Sequence, residues 1–140
     1  MGFRDILVIS SLCVTMGLRG SFYETIHERK SLYTPPDEIV QGFVNCDARL
    51  ISKYFNASVE LIFNESSGVY GKSQAEQILR TFFNNNTSAT GRFTYKHRHG
   101  SDRDNAQYYI GELHTGKGLY RVTILMKDKL IYQMKIESND

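Results

Sequence analysis

Residues 68–73 read GVYGKS and are followed by QAEQILRTFF, so a Gly-Lys-Ser stands where a strand gives way to a helical pattern. A phosphate-binding loop needs a glycine, four residues and then Gly-Lys-Ser/Thr, so that several backbone N–H groups converge on one anion. Counting back from Gly71, the first glycine of such a loop falls at position 66, which is Ser66. Gly68 leaves only Val69 and Tyr70 before Gly71, too few residues to wrap a triphosphate, and Glu65 brings a carboxylate close to the supposed anion. Ser73 and Glu76 instead fit a capping box, in which hydroxyl and carboxylate each satisfy a free N–H at the helix start. Such a cap is worth about 1 kcal/mol. Gly68 and Gly71 then read as turns flanking the short segment Val69–Tyr70. No nucleotide is expected to bind.

His97 is the one strong candidate for a general base, in the alternating stretch Phe93-Thr94-Tyr95-Lys96-His97, with Asp102 and Asp104 following on a neighbouring loop. Catalysis needs a positioned partner as well as a base. A lone imidazole among aromatics is expected to be a hydrogen-bonded core residue, so no catalytic residue is assigned and His97 is the runner-up. His97 and His99, two apart on a strand, are the nearest approach to a metal site, and no Cys/His spacing resembles a zinc centre. No metal or cofactor is expected.

A third chemistry is electrostatic. From Arg92 to Lys135 nine Lys/Arg face four Asp/Glu, and Arg92, Lys96, Arg98 and Arg121 fall on strand positions that form a basic face. The whole chain is nevertheless only +2. Long basic side chains on an outward strand also blunt sheet edges and aid solubility, so a solvated face outweighs polyanion binding, and sequence-specific nucleic acid is not expected.

These residues must be positioned by one domain. The chain has 140 residues, 41% of them hydrophobic, enough for a single core. Ile6–Leu18 is an apolar run too short to span a bilayer as a helix but suited to a secretory signal core. Residues 1–20 are therefore read as a signal peptide, 21–33 as a flexible lead-in and 34–138 as the domain, secreted or periplasmic. Thr34 can cap a helix with Pro35 at its first position, Ile39 and Phe43 keep helical spacing, and Asp47 recaps a second short helix. Val59–Phe63 is strand-like, Ser73–Phe83 a third helix, and four strand candidates fill the rest. The connections 116–118 and 127–129 are short enough for hairpins. The order implies an α+β fold with helices on one face of a curved antiparallel sheet. Its inward strand face is read as Phe93, Tyr95, His97, Tyr108, Ile110, Tyr120, Val122, Ile124, Tyr132 and Met134.

KYFNASVEL (53–61), GVYGKSQAEQIL (68–79), FTYKH (93–97), YYIGEL (108–113) and YRVTILMK (120–127) resemble the domain of unknown function 4783 family of small secreted bacterial proteins. That family lies within the nuclear transport factor 2-like (cystatin-like) superfamily, whose bent sheet and three helices enclose a cone with a pocket. The resemblance implies the fold and a bacterial source, and offers no catalytic residues to carry over. The expected protein is a non-catalytic binding or interaction module for a small apolar ligand or a protein partner. Its pocket candidates are Tyr54, Tyr95, His97, Tyr108, Tyr120 and Tyr132. The alternatives are an isomerase- or dehydratase-type enzyme using His97, and polyanion binding on the basic face. Members of the superfamily often dimerise through the outer sheet face, so a homodimer is a further expectation, provided that the facing surface supplies acids to the basic stripe.

Overall fold

Two adjacent prolines decide where the first helix starts. The residue before a proline is held out of the helical region, so Pro35 stays extended and α1 (Asp37–Val44) opens on Pro36, two residues after the cap expected at Thr34. The Pro36 carbonyl accepts from Ile39 N at 3.0 Å and Val40 N at 3.3 Å. Asp37 and Glu38 occupy the first turn, where carboxylates complement the helix dipole. The computed structural model describes residues 34–139. The apolar run, its cleavage and the lead-in lie outside the described residues.

Cys46, at φ 55°, turns the chain, and the Asp47 carboxylate accepts from Leu50 N at 3.2 Å to start α2 (Ala48–Ser52). The bend and the recapping aspartate are as the sequence predicts. Strands β1 (Phe55–Phe63) and β2 (Ser66–Gly71) then pair antiparallel, with Ser58 opposite Gly71. That last pairing keeps the chain extended up to Gly71, and α3 (Lys72–Asn85) begins at the next residue.

The capping box is corrected by this geometry. Gly71 takes the cap position with no side-chain bond, and Ser73 is an exposed second helical residue. Glu76 turns instead to Ser52 Oγ on α2, 3.0 Å away, and to Arg80, 3.7 Å away. Gly68 is corrected too: it lies inside β2, where a Cβ would stand 2.5 Å from Tyr70 Oη, so the Tyr70 ring covers it.

Four strands follow: β3 (Thr94–Arg103), β4 (Ala106–Thr115), β5 (Gly118–Lys127) and β6 (Leu130–Ser138). The turns Asp104-Asn105 and Asp128-Lys129 have positive φ at both residues (53° and 62°, 49° and 65°). This turn geometry matches the right-handed twist of the strands it joins. The sheet order is β2-β1-β6-β5-β4-β3. All neighbours are antiparallel except β1 and β6, which run parallel, so the expected antiparallel sheet is mixed at one pairing. Register shifts between β3 and β4, where β3 carries the extra residue Arg98, and between β5 and β6, where β6 carries Tyr132, mark bulges, which bend strands. The helices contribute Ile39, Phe43, Ile51, Leu79 and Phe83 to a core closed by Val59, Leu61, Leu113, Val122, Ile124, Met134 and Ile136. The fold is α+β, with three helices on one face of a curved sheet.

Candidate functional site

The helix-covered face of the sheet is the inner wall, and the register decides which side chains reach it. Tyr95, Leu113 and Tyr120 form one row across β3, β4 and β5, and His97, Gly111 and Val122 the next. Phe43 of α1 stacks on Tyr95, with ring centroids 5.7 Å apart and planes 12° from parallel. A Cβ at Gly111 would lie 2.4 Å from Tyr95 Cζ and Oη, so glycine is what lets the phenol lie against β4. The Tyr95 hydroxyl is buried and makes no hydrogen bond among the described residues. Burial pushes its pKa up to about 12, because the phenolate would lose its water.

His97 meets the edge of Tyr109 at 6.4 Å. Tyr109 is also buried, and its pKa is raised by that burial first and then by the negative charge of Asp102. Asp102, expected on a loop beside His97, is a strand residue of β3 opposite Gln107, and its charge is felt at Tyr109. Asp104 lies in the turn, 95% exposed. His99 follows the β3 bulge and pairs with Ile110, which puts it on the face opposite His97. Among the described residues no group of three His, Cys, Asp or Glu is placed to hold a metal.

The other pocket candidates scatter. Tyr120 stays on the inner wall, where its hydroxyl donates to Asn86 Oδ1 at 2.8 Å and its ring meets Phe82 edge-on at 5.2 Å. Buried Asn86, which stands past the predicted end of the third helix at Phe83, also donates to Phe82 O at 2.8 Å. Tyr54 lies before β1, and its hydroxyl donates to Glu38 Oε2 at 3.3 Å. Tyr132 is the residue skipped at the β5–β6 bulge, where Met126 pairs with Ile131 and Leu125 with Gln133. Tyr108 is a correction: it is 37% exposed on the outer face, as is the alternating position Ile110, while Tyr109, Gly111 and Leu113 turn inward. The turn Asp104-Asn105 sets this phase by pinning Arg103 opposite Ala106.

The outer face holds Lys96, Arg98 and Arg121, while Arg92 lies in the loop before β3. Carboxylates thread this stripe. Arg98 Nη2 donates to Glu112 Oε2 at 2.7 Å, Lys96 and Arg121 flank Glu112 in register, and Lys135 Nζ lies 3.0 Å from Glu137. The hydrogen bond from Arg98 holds the Glu112 pKa below the usual carboxylate range, with His114 and Lys96 adding to the effect.

A family model described as "Domain of unknown function (DUF4783)" matches residues 36–138. A crystal structure of a DUF4783 family protein from Bacteroides ovatus is 27% identical, covers 75% of this chain and 96% of its own, and superposes with a TM-score of 0.68. One from Bacteroides uniformis is 25% identical, covering 76% and 99%, also with a TM-score of 0.68. An NTF2-like protein of unknown function from Cytophaga hutchinsonii shares the fold at 10% identity, covering 73% and 84%, with a TM-score of 0.52. No curated protein matches.

Proposed function

The chain belongs to the DUF4783 family, and from that premise we propose that it is a non-catalytic binding module working outside the cytoplasm. Its ligand is a small apolar or aromatic molecule with one hydrogen-bonding group, received at Tyr95 and His97 on the inner wall. The observation behind this reading is the Tyr95 hydroxyl, buried with no hydrogen bond among the described residues. Leaving a polar group in that state costs about 1–3 kcal/mol, and a ligand oxygen or nitrogen at that point would recover it. The surrounding Phe43, Tyr109 and Val122 supply the apolar contact.

The test is a screen of small aromatic alcohols, ketones and acids against the full chain, read by NMR. The expected result is saturable binding that shifts the amides of Tyr95, His97 and Gly111, weakened roughly tenfold in Tyr95→Phe, the scale of one lost hydrogen bond. Binding that ignores Tyr95→Phe would sink this reading. So would turnover of any compound that falls 100-fold or more in a cooperatively folded His97→Gln variant, the scale of general-base removal.

A second reading, compatible with the first, is a homodimer through the outer sheet face. Tyr108, Ile110 and Leu125 form an apolar strip there, bordered by alternating Arg98, Glu112, Arg121 and Glu137. Such a border is self-complementary in charge under a two-fold axis. Sedimentation should show a concentration-dependent dimer that Tyr108→Glu shifts to monomer. A wild-type chain that stays monomeric at millimolar concentration rejects it.

A further inference from the structure

The Gly-Lys-Ser that fails as a triphosphate loop is folded into a different setting. Between α2 and the start of α3 lies an open cleft of about 340 Å³, lined by Arg49, Ser52, Lys53, Lys72, Ser73 and Glu76. Its volume is at the low end of the range for small-molecule sites. We infer that this cleft is a second binding site, for a small molecule bearing a phosphate monoester, held by Arg49, Lys53 and Lys72. It lies apart from the inner wall and does not depend on the function proposed there.

The argument rests on where the charges go. Glu76, the one carboxylate in the cleft, is already engaged: Oε1 accepts from buried Ser52 Oγ at 3.0 Å, and Oε2 faces Arg80 at 3.7 Å. Arg80 stands outside the lining and offsets the charge of Glu76. Arg49, Lys53 and Lys72 have no ion pair or hydrogen bond from their side chains among the described residues. Three unpaired cations from two helices thus converge on one concavity, whereas on the outer sheet face Arg98 and Lys135 are matched by Glu112 and Glu137. Like charges brought together repel, and a dianion between them removes that repulsion.

The donors also suit a phosphate. Arg49 offers a planar fork that can grip two oxygens, and the lysines act as point charges. The exposed Ser73 hydroxyl is a further donor, released from the capping role that Gly71's position denies it. The first turn of α3 adds its dipole to theirs. Among the described residues the lining comes from α2, its C-terminal end and the first turns of α3, with no surrounding loop of the kind a triphosphate requires, so the site is sized for one phosphate and a short organic remainder.

The test is an NMR titration of the full chain with glycerol 3-phosphate, using glycerol, inorganic phosphate and ATP as comparisons. Saturable shifts are expected at Ser52, Lys53, Ser73 and Gln74, with glycerol inert and affinity falling as salt rises. Lys72→Gln and Arg49→Gln should each weaken binding roughly tenfold, the scale of one charge-assisted hydrogen bond. Arg92→Gln, also basic but outside the lining of the cleft, should leave it unchanged. All three positions are exposed, and a retained thermal transition confirms folding of each variant. Shifts that never saturate, equal losses in Arg92→Gln, or ATP bound more than tenfold tighter than glycerol 3-phosphate would each overturn the assignment. Inorganic phosphate binding as tightly as glycerol 3-phosphate would overturn the organic part of it, leaving a bare anion site.

Discussion

Phe43→Ala is expected to lower the unfolding free energy by about 3–5 kcal/mol, the range for a fully buried phenylalanine cut back to alanine. Phe43 has no exposed surface and is the ring through which α1 reaches the sheet. It stacks on Tyr95 of β3 at 5.7 Å and meets Phe83 of α3 edge-on at 6.1 Å, and Phe83 in turn meets Phe93 at 5.7 Å. Truncation removes the first ring of that chain, so neither α3 nor β3 can close the gap without losing its own contacts. An eight-residue helix also has little stability apart from its packing. Against a typical domain stability of about 5–15 kcal/mol, the loss is roughly a fifth of the whole at the least. Urea unfolding of the wild type and variant, with unchanged slope and a lower midpoint, is the measurement. A difference below about 1 kcal/mol would mean that Phe43 does not hold the wall in place.

That ring was legible in the sequence, because Ile39 and Phe43 repeat at helical spacing and Asp47 marks a new start. The hairpins were legible as well, since Gly116-Lys117-Gly118 and Lys127-Asp128-Lys129 leave the strands no other course. What escaped depends on pairing between distant residues. Ser73 looks like a cap locally, and only the Ser58–Gly71 pairing in the sheet moves the helix start forward. The phase of β4 could not be read from alternation because both of its faces are apolar, with Tyr108 and Ile110 on one and Tyr109 and Leu113 on the other. A turn fixes it, through the Arg103–Ala106 pair. The parallel contact of β1 with β6 joins Leu61 to Met134, and nothing near either residue announces it. In the candidate site, Tyr95 and His97 followed from alternation before the β3 bulge, and the alternation breaks just past it, where His99 pairs with Ile110. Gly111 reads in the sequence as a bulge that would bend β4, but the extra residue stands on β3 and the glycine instead lets Tyr95 lie against β4.

Tyr95→Phe should do something unusual for a buried wall residue, raising stability at neutral pH by about 1 kcal/mol, the low end of the penalty for an unpaired buried polar group. The substitution removes one oxygen and keeps the ring that stacks on Phe43. A larger effect is expected in alkali. The folded phenol has a pKa of about 12, above the unfolded value of about 10, so folding favours the neutral form. Its contribution is fully present below pH 10 and is lost as pH rises from about 10 to about 12. At pH 11, midway, the wild type should have lost about 1.4 kcal/mol through this group. Phenylalanine has no proton to lose, so the advantage of Tyr95→Phe over wild type should grow from about 1 kcal/mol at pH 8 to more than 2 kcal/mol at pH 11. Taking the difference between the two proteins at each pH cancels the other tyrosines, including Tyr54 and Tyr109, whose pKa values are also raised. Urea midpoints at the two pH values decide it. A variant less stable than wild type at pH 8 would mean that the hydroxyl has a partner, and a difference independent of pH would mean an ordinary phenol. A variant that is more stable yet binds its ligand tenfold less well would place at Tyr95 a hydroxyl kept for binding at the expense of the fold.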